Sequence, residues 1–203
     1  MIPPGELTGA VLAGGQSRRM GRDKAMLLVN GVPLWQRQVK VLREAGANPV
    51  GVVRRPDQPA LDLPVDVPLW QDAVAGIGPL AGLHAALAAC RTGWLAVVAT
   101  DMPAIEARWF AWLARHCPPD GGAIAGRDDG LLEPLAAIYP RAALAEAARR
   151  LAGPDYSLQA FANALLTQRR LVRLPLGEAD LGQVSNWNTP ADGAPDGAGA
   201  ATD

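Results

Sequence analysis

One stretch of the chain concentrates residues able to hold a phosphate. Residues 12–24 read Leu12-Ala13-Gly14-Gly15-Gln16-Ser17-Arg18-Arg19-Met20-Gly21-Arg22-Asp23-Lys24. Two adjacent glycines after an apolar run let the backbone approach a ligand closely and take up positive φ. Successive backbone N–H groups in such a turn form a concavity for anions. Arg18, Arg19, Arg22 and Lys24 then place four cations within seven positions. Phosphate oxygens accept strong, charge-assisted hydrogen bonds from such groups. The run is neither a P-loop nor a dinucleotide-binding G-x-G-x-x-G. Five residues separate Gly15 from Gly21, and Arg22 stands where a P-loop has its Lys. On composition alone, a solvated basic turn accounts for the run as well as a phosphate cradle does.

A second group of residues offers oxygen ligands. Thr100-Asp101-Met102-Pro103 follows a short apolar run. A carboxylate at the tip of a buried strand suits Mg²⁺, which takes oxygen ligands and keeps waters and substrate phosphates in its shell. The bland reading is a helix N-cap supplied by Thr100 or Asp101 ahead of Pro103. Asp72 precedes Gly78-Pro79-Leu80-Ala81-Gly82; by itself it reads as a solvated loop aspartate, and the glycine segment as a helix start. Glu133-Pro134-Leu135-Ala136-Ala137-Ile138-Tyr139 reads as an edge strand opened by a proline. Asn186 and Asn188, in Asn186-Trp187-Asn188-Thr189-Pro190, lie at i and i+2 and so share a side on an extended segment. Each amide both donates and accepts, which suits a polar ligand as well as a simple turn.

The elements that position these groups alternate. Residues 7–12, 50–53, 65–69 and 94–99 are short apolar strands. Helices are predicted over 33–45, with Pro33 in the first turn and Gly46 just past the end, and over 79–90 and 106–116. The second half adds strands at 123–125, 135–139 and 171–174. It also adds helices at 142–151 and, capped by Ser157, through 166. This order predicts an α/β fold: a three-layer α/β/α arrangement around a mostly parallel sheet. Ligands of such sheets bind beyond the carboxyl ends of the strands, where both motifs fall. Residues 1–190 read as one domain. The tail 191–203 lacks large apolar residues and is expected to be disordered.

Composition removes several function classes. The net charge is −1, so nucleic acid is not an expected partner. No segment is long and apolar enough to span a bilayer. Met1-Ile2-Pro3-Pro4 is not a signal-peptide start, so a cytoplasmic location is expected. Cys90 and Cys117 form no C-x-x-C pair and read as small core residues. His84 and His116 form no ligand cluster. Trp109 and Trp112, at i and i+3, read as core packing.

The first motif carries a resemblance beyond composition. It resembles the N-terminal signature L-A-(G/A)-G-x-S-x-R-M-G-x-x-K of nucleotidyltransferases that activate sugar phosphates and cofactors. The Leu-Ala-Gly-Gly form, with Arg-Met-Gly and Asp-Lys, is similar to the molybdenum cofactor guanylyltransferase (MobA) branch. Cytidylyltransferase relatives usually carry Ala where this chain has Gly14. The resemblance runs from about residue 7 to 190 and implies a nucleotide half at about 7–105 and an acceptor half at about 106–190. It implies a Rossmann-like nucleotidyltransferase fold in which Leu12, Ala13, Gly14 and Gly15 surround the nucleotide. Arg19 and Lys24 would meet its phosphates as catalytic groups. Asp101 would be catalytic and bind Mg²⁺, with Asp72 and Gly78 beside the nucleotide. Asn186 and Asn188 would face the cleft, and the segment from Glu133 to Tyr139 would shape the acceptor pocket. Family members often carry an Asn after the second strand to touch the nucleotide; this chain has Arg54 and Arg55 there.

The activity so implied is Mg²⁺-dependent transfer of GMP from GTP to Mo-molybdopterin, with pyrophosphate released and the product passed to molybdoenzymes or their chaperones. A phosphate nucleophile is already anionic and needs no general base, in keeping with the absence of an obvious catalytic His. Three alternatives stay open: CTP as donor, a sugar phosphate as acceptor, or a carrier that binds nucleotide or pterin without chemistry.

Overall fold

The computed structural model describes residues 1–15, 23–72 and 77–187. Arg19, Asn188 and the tail 191–203 lie outside the described residues, as do Arg18 and Arg22. In chain order the elements are β1 (Leu7–Leu12), the hairpin β2 (Leu28–Val29) and β3 (Val32–Pro33), α1 (Leu34–Glu44), β4 (Val50–Arg54), β5 (Leu69–Gln71), α2 (Pro79–Ala89), β6 (Trp94–Ala99) and α3 (Ala107–His116). There follow β7 (Gly122–Gly126), β8 (Ala136–Pro140), α4 (Leu144–Leu151), α5 (Leu158–Thr167) and β9 (Leu171–Pro175). Among the described residues, three 3₁₀ segments, Lys24–Met26, Arg141–Ala143 and Glu178–Val184, complete the set.

Seven strands form one sheet in the order β5-β4-β1-β6-β8-β7-β9. β1 pairs in parallel with β4 on one side and β6 on the other. β5 adds to β4 in parallel, and β9 to β7. β8 alone runs against its neighbours β6 and β7. Every residue of β1, β4, β7 and β8 is buried. That is why these strands are near-continuous apolar runs and not alternating ones, with Thr8 and Arg54 as their buried polar members. Helices cover both faces. One apolar core joins Val11, Val52 and Val98 to Trp35, Leu42 and Trp109 of α1 and α3. The other joins Ala10, Val53 and Val97 to Leu83, Leu87 and Phe161 of α2 and α5. The predicted three-layer α/β architecture is thus the observed one.

Local chemistry explains the element ends. Gly46, just past α1, has φ +91°, the left-handed conformation of a helix stop. Ser157 Oγ accepts from the Ala160 N–H at 3.3 Å and caps α5. Gly122 lies so close to β8 that a Cβ there would stand 2.1 Å from the Ile138 carbonyl oxygen. Trp109 is buried, and its Nε1 donates to the Ala136 carbonyl at 2.8 Å. Its ring centroid is 5.3 Å from that of Trp112, so the pair packs as predicted. Both cysteines are buried, and burial pushes the Cys117 thiol up to about 12, which keeps it un-ionised and inert.

Three expectations are corrected. The strand predicted over 65–69 starts later, at Leu69. The Val67 N–H turns back to the Pro64 carbonyl, Val65 is fully exposed, and pairing begins only at the Pro68 carbonyl, which accepts from Val52 N–H. Pro68 has no N–H to donate to a ladder. The segment after Pro134 is not an edge strand: β8 is central, between β6 and β7. Asp72 is not a solvated loop residue, being only 6% exposed. Among the described residues no helix is long and apolar enough to cross a membrane.

Candidate functional site

A cleft of about 550 Å³ opens along the carboxyl edge of β1, β4, β5 and β6. The chain runs from β1 through α1 to β4 on one flank, then from β5 through α2 to β6 on the other. The order therefore reverses at β1, the place where open α/β sheets bind ligands. The cleft is lined by Leu12, Gly14, Gly15 and Val53, with Arg55, Asp72, Gly78 and Asp101 among its polar and turn positions. Leu135 reaches the same edge because β8 runs the opposite way. Gly78 has φ +91° and is the N-cap of α2. Only a glycine takes this conformation readily, and it brings the start of α2 to the cleft wall.

The glycine-rich loop is tethered from the β4 side. Ala13 N–H continues the ladder to the Val53 carbonyl at 2.9 Å. Gln58 Nε2 donates to the Ala13 carbonyl at 3.1 Å, and its Oε1 accepts from Arg55 N–H at 3.0 Å. Arg55 Nη1 donates to the Gly14 carbonyl. The Ala13 side chain packs in the core behind the sheet, so this residue meets the loop through its main chain.

Asp101 sits on a turn held by α1. Arg37 Nε donates to the Pro103 carbonyl at 2.6 Å, and Gln38 Nε2 to the Met102 carbonyl at 2.7 Å. The N-cap reading of Thr100 or Asp101 fails, because α3 begins at Ala107 with Glu106 as its cap. Lys24 Nζ lies 3.3 Å from Asp101 Oδ2 and donates to the Trp187 carbonyl at 2.6 Å. Trp187 N–H in turn donates to the Asp101 carbonyl at 2.8 Å. The lysine, the aspartate and the late segment thus meet across 77 and 163 positions of sequence. Lys24 and Asp101 side chains keep 20% and 26% of their surface, and Asp101 lines the cleft.

Lys24 is presented by a short turn with its own support. Asp23 Oδ1 accepts from Ala25 N–H at 3.0 Å and caps the 3₁₀ segment. Asp23 Oδ2 accepts from Arg54 Nη2 at 2.6 Å. Hard oxygen donors for a cation come from Asp101 and Asp72 in the same cleft. Among the described residues no group of three or more His, Cys, Asp or Glu could hold a metal unaided. This donor set fits Mg²⁺, which is bound through one or two carboxylates together with substrate phosphates.

The structure therefore brings Leu12, Gly14, Gly15, Asp72, Gly78 and Asp101 into one cleft and places Lys24 on Asp101. Asn186 is exposed, and its segment reaches the site through the main chain of Trp187. Tyr139 is buried, donates to the Pro134 carbonyl at 2.7 Å and packs on Phe161; of its segment, Leu135 lines the cleft. Sequence reasoning missed Arg37, Gln38, Gln58, Asp23 and the Trp187 carbonyl as supports. The one available signal was Arg54-Arg55, two arginines directly after the apolar run Val50-Gly51-Val52-Val53.

Comparison with known proteins agrees with this geometry. Residues 9–170 match the model of the MobA-like NTP transferase domain. The chain is 53% identical over 189 residues to a probable molybdenum cofactor guanylyltransferase of Opitutus terrae, covering 92% of each. It is 33% identical over 188 residues to the molybdenum cofactor guanylyltransferase of Yersinia pestis, again covering 92% of each. A solved structure of molybdopterin-guanine dinucleotide biosynthesis protein A from Archaeoglobus fulgidus superimposes with a TM-score of 0.72 at 26% identity, over 92% of this chain and 94% of that one.

Proposed function

The chain belongs to the MobA-like NTP transferase domain family, and from that premise we propose that it transfers GMP from GTP to Mo-molybdopterin, releasing pyrophosphate. The observation that carries this reading is the convergence of Gly14, Gly15 and Asp101 on one cleft at the sheet's reversal point, with Lys24 paired to Asp101. The names of its relatives in Opitutus terrae and Yersinia pestis support the choice of donor and acceptor.

In this reading an oxygen of the acceptor's terminal phosphate attacks the α-phosphorus of GTP. The bond to the β-phosphate oxygen breaks, and pyrophosphate leaves in line. The nucleophile is already ionised, so the protein's task is positioning and charge neutralisation. The loop around Gly14 and Gly15 cradles the nucleotide with main-chain groups. Lys24 and Arg19 offset charge on the triphosphate, and Gly78 lets α2 approach it. Asp101, with Asp72 close to the same wall, would hold Mg²⁺, which supplies further neutralisation of the phosphate oxygens. Asn186 and Asn188 would contribute amide contacts to the substrate. The reaction belongs in this scheme to the cytoplasm, with molybdoenzymes or their chaperones receiving the product.

The test is pyrophosphate release by the purified protein with Mo-molybdopterin and Mg²⁺, comparing GTP, CTP, ATP and UTP. Release with GTP, dependent on both pterin and metal, is the expected result. Preference for CTP would replace the donor. No release with any nucleotide would overturn transfer to this acceptor.

A further inference from the structure

Arg54 ends β4 as a buried arginine, 3% exposed. Among the described residues its Nη2 donates to Asp23 Oδ2 at 2.6 Å, while Nε and Nη1 are buried with no hydrogen-bond partner. A buried charge satisfied at one of three nitrogens is a poor device for stability, because desolvation is offset only by a complete set of bonds. Such a group calls for an explanation. Its partner supplies one. Asp23 spends its other oxygen on Ala25 N–H, and so fixes the turn from which Lys24 reaches Asp101 and the Trp187 carbonyl. The Arg54 carbonyl also accepts from Asp72 N–H at 3.0 Å. One residue thus ties the turn bearing Lys24 to the strand end bearing Asp72. Its neighbour Arg55 goes to the Gly14 carbonyl, so the two arginines support two different parts of the cleft.

We propose that Arg54 is a positioning residue: through Asp23 it sets where the Lys24 ammonium stands against Asp101. The consequence for catalysis rests on the role given to Lys24 above, but the placement of Lys24 can be read without any nucleotide. The chain has two lysines, Lys24 and Lys40. Lys40 is 77% exposed on α1, which makes it an internal reference. Acylation by acetic anhydride, followed by peptide mass spectrometry, compares the two amines in the wild type, Arg54→Met and Arg54→Lys. In the wild type Lys24 is expected to react more slowly than Lys40, and in both variants the ratio of Lys24 to Lys40 labelling rises. An unchanged ratio overturns the proposal.

The kinetic arm uses guanylyl transfer in two backgrounds. With Lys24 present, Arg54→Met should lower kcat/KM for GTP by about 10–100-fold, the usual effect of displacing a functional group slightly. In Lys24→Met it should lower the residual rate no further. The same loss in both backgrounds would mean a purely structural role and would overturn the inference. Should Arg54→Met fail to fold, as judged by thermal unfolding, Asp23→Asn gives the same two readings while keeping an oxygen for Ala25 N–H. If the wild type does not use GTP, the proposed function falls, and the labelling ratio still decides the placement of Lys24.

Discussion

The two halves of the sheet handle their polar groups differently. Around β1, β4, β5 and β6, side chains reach far along the chain. Lys24 meets Asp101 across 77 positions, Gln38 meets Met102 across 64, and Arg54 meets Asp23 across 31. Around β8 and α4, most close on near neighbours. Arg127 meets Glu133 across 6 positions, Tyr139 meets Pro134 across 5, and Glu146 meets Arg149 and Arg150 across 3 and 4. The exceptions are Gln159, which brackets Leu132 with two bonds across 27, Trp109 on Ala136 across 27, Gln168 on Glu146 across 22 and Arg173 on the Arg127 carbonyl across 46. Local closures satisfy buried polar groups at little entropic cost. Among the described residues the long ties leave Gln38 Oε1 and two Arg54 nitrogens buried and unbonded, against Gln183 Oε1 alone in the second half. Such incomplete bonding is tolerated where it fixes a site. Substitutions in the first half should therefore act on turnover, and those in the second half on stability.

The largest effect should come from Asp101. Asp101→Ala is expected to lower kcat by about 10³-fold or more, because it removes charge placed against the reacting phosphates. Its melting temperature should stay close to that of the wild type, since Asp101 is a quarter exposed and is not a helix cap. Near-normal turnover in the variant would remove Asp101 from the chemistry. Lys24→Ala follows, with an expected loss of about 10²–10³-fold in kcat/KM for GTP. Here too thermal unfolding should change little. A large loss of stability in place of activity would break the contrast between the two halves.

Gly14→Ala sharpens the comparison at the nucleotide itself. A Cβ at Gly14 would lie 3.6 Å from Arg55 Cγ, an ordinary contact, so the fold has room for the methyl. The effect should then fall on the ligand. Discrimination worth one methyl group amounts to roughly tenfold or somewhat more, and kcat/KM for GTP should drop by about that factor relative to CTP. Equal kinetics with the two nucleotides in wild type and variant would show that Gly14 does not select the base.

The same contrast explains what could be read from the sequence. The glycine-rich loop, the aspartate after β6 and the starts of α1 and α2 were legible, because each depends on residues adjacent in the chain. Gly46 beyond α1 and Ser157 ahead of α5 acted locally and as predicted. The clasp of Arg37 and Gln38 on the Asp101 turn was not legible, since no local pattern distinguishes those side chains from any others on an amphipathic helix. Nor was the direction of β8: Ala136–Pro140 is buried on both faces, and such a run looks alike in a parallel or an antiparallel position. The parallel start of β5 was misplaced because two prolines bracket Val65 and Val67, where apolar residue types suggest a strand but the missing N–H groups delay it.

The smallest effects separate two glutamates of the second half by their pH dependence. Glu146 is almost buried on α4, and the hydrogen bonds from Arg149 hold its carboxyl below the ordinary value, with Gln168 and Arg150 adding to them against a desolvation cost. A carboxylate with a lowered folded-state pKa stabilises the fold above the unfolded pKa and loses that contribution as pH falls through the folded one. Glu133 is the reverse case: burial pushes its carboxyl up, and the bond from Arg127 opposes this only in part. Its contribution is present below the unfolded pKa and is lost as pH rises through the folded one. Thermal unfolding of Glu146→Gln and Glu133→Gln from about pH 3 to about pH 7 reads both. The melting temperature of Glu146→Gln relative to wild type should fall progressively as pH rises, while that of Glu133→Gln should improve over the same direction. Parallel trends in the two variants would mean that Arg127 compensates Glu133 as fully as Arg149 and Arg150 do Glu146, and the local closures of this half would then be uniform.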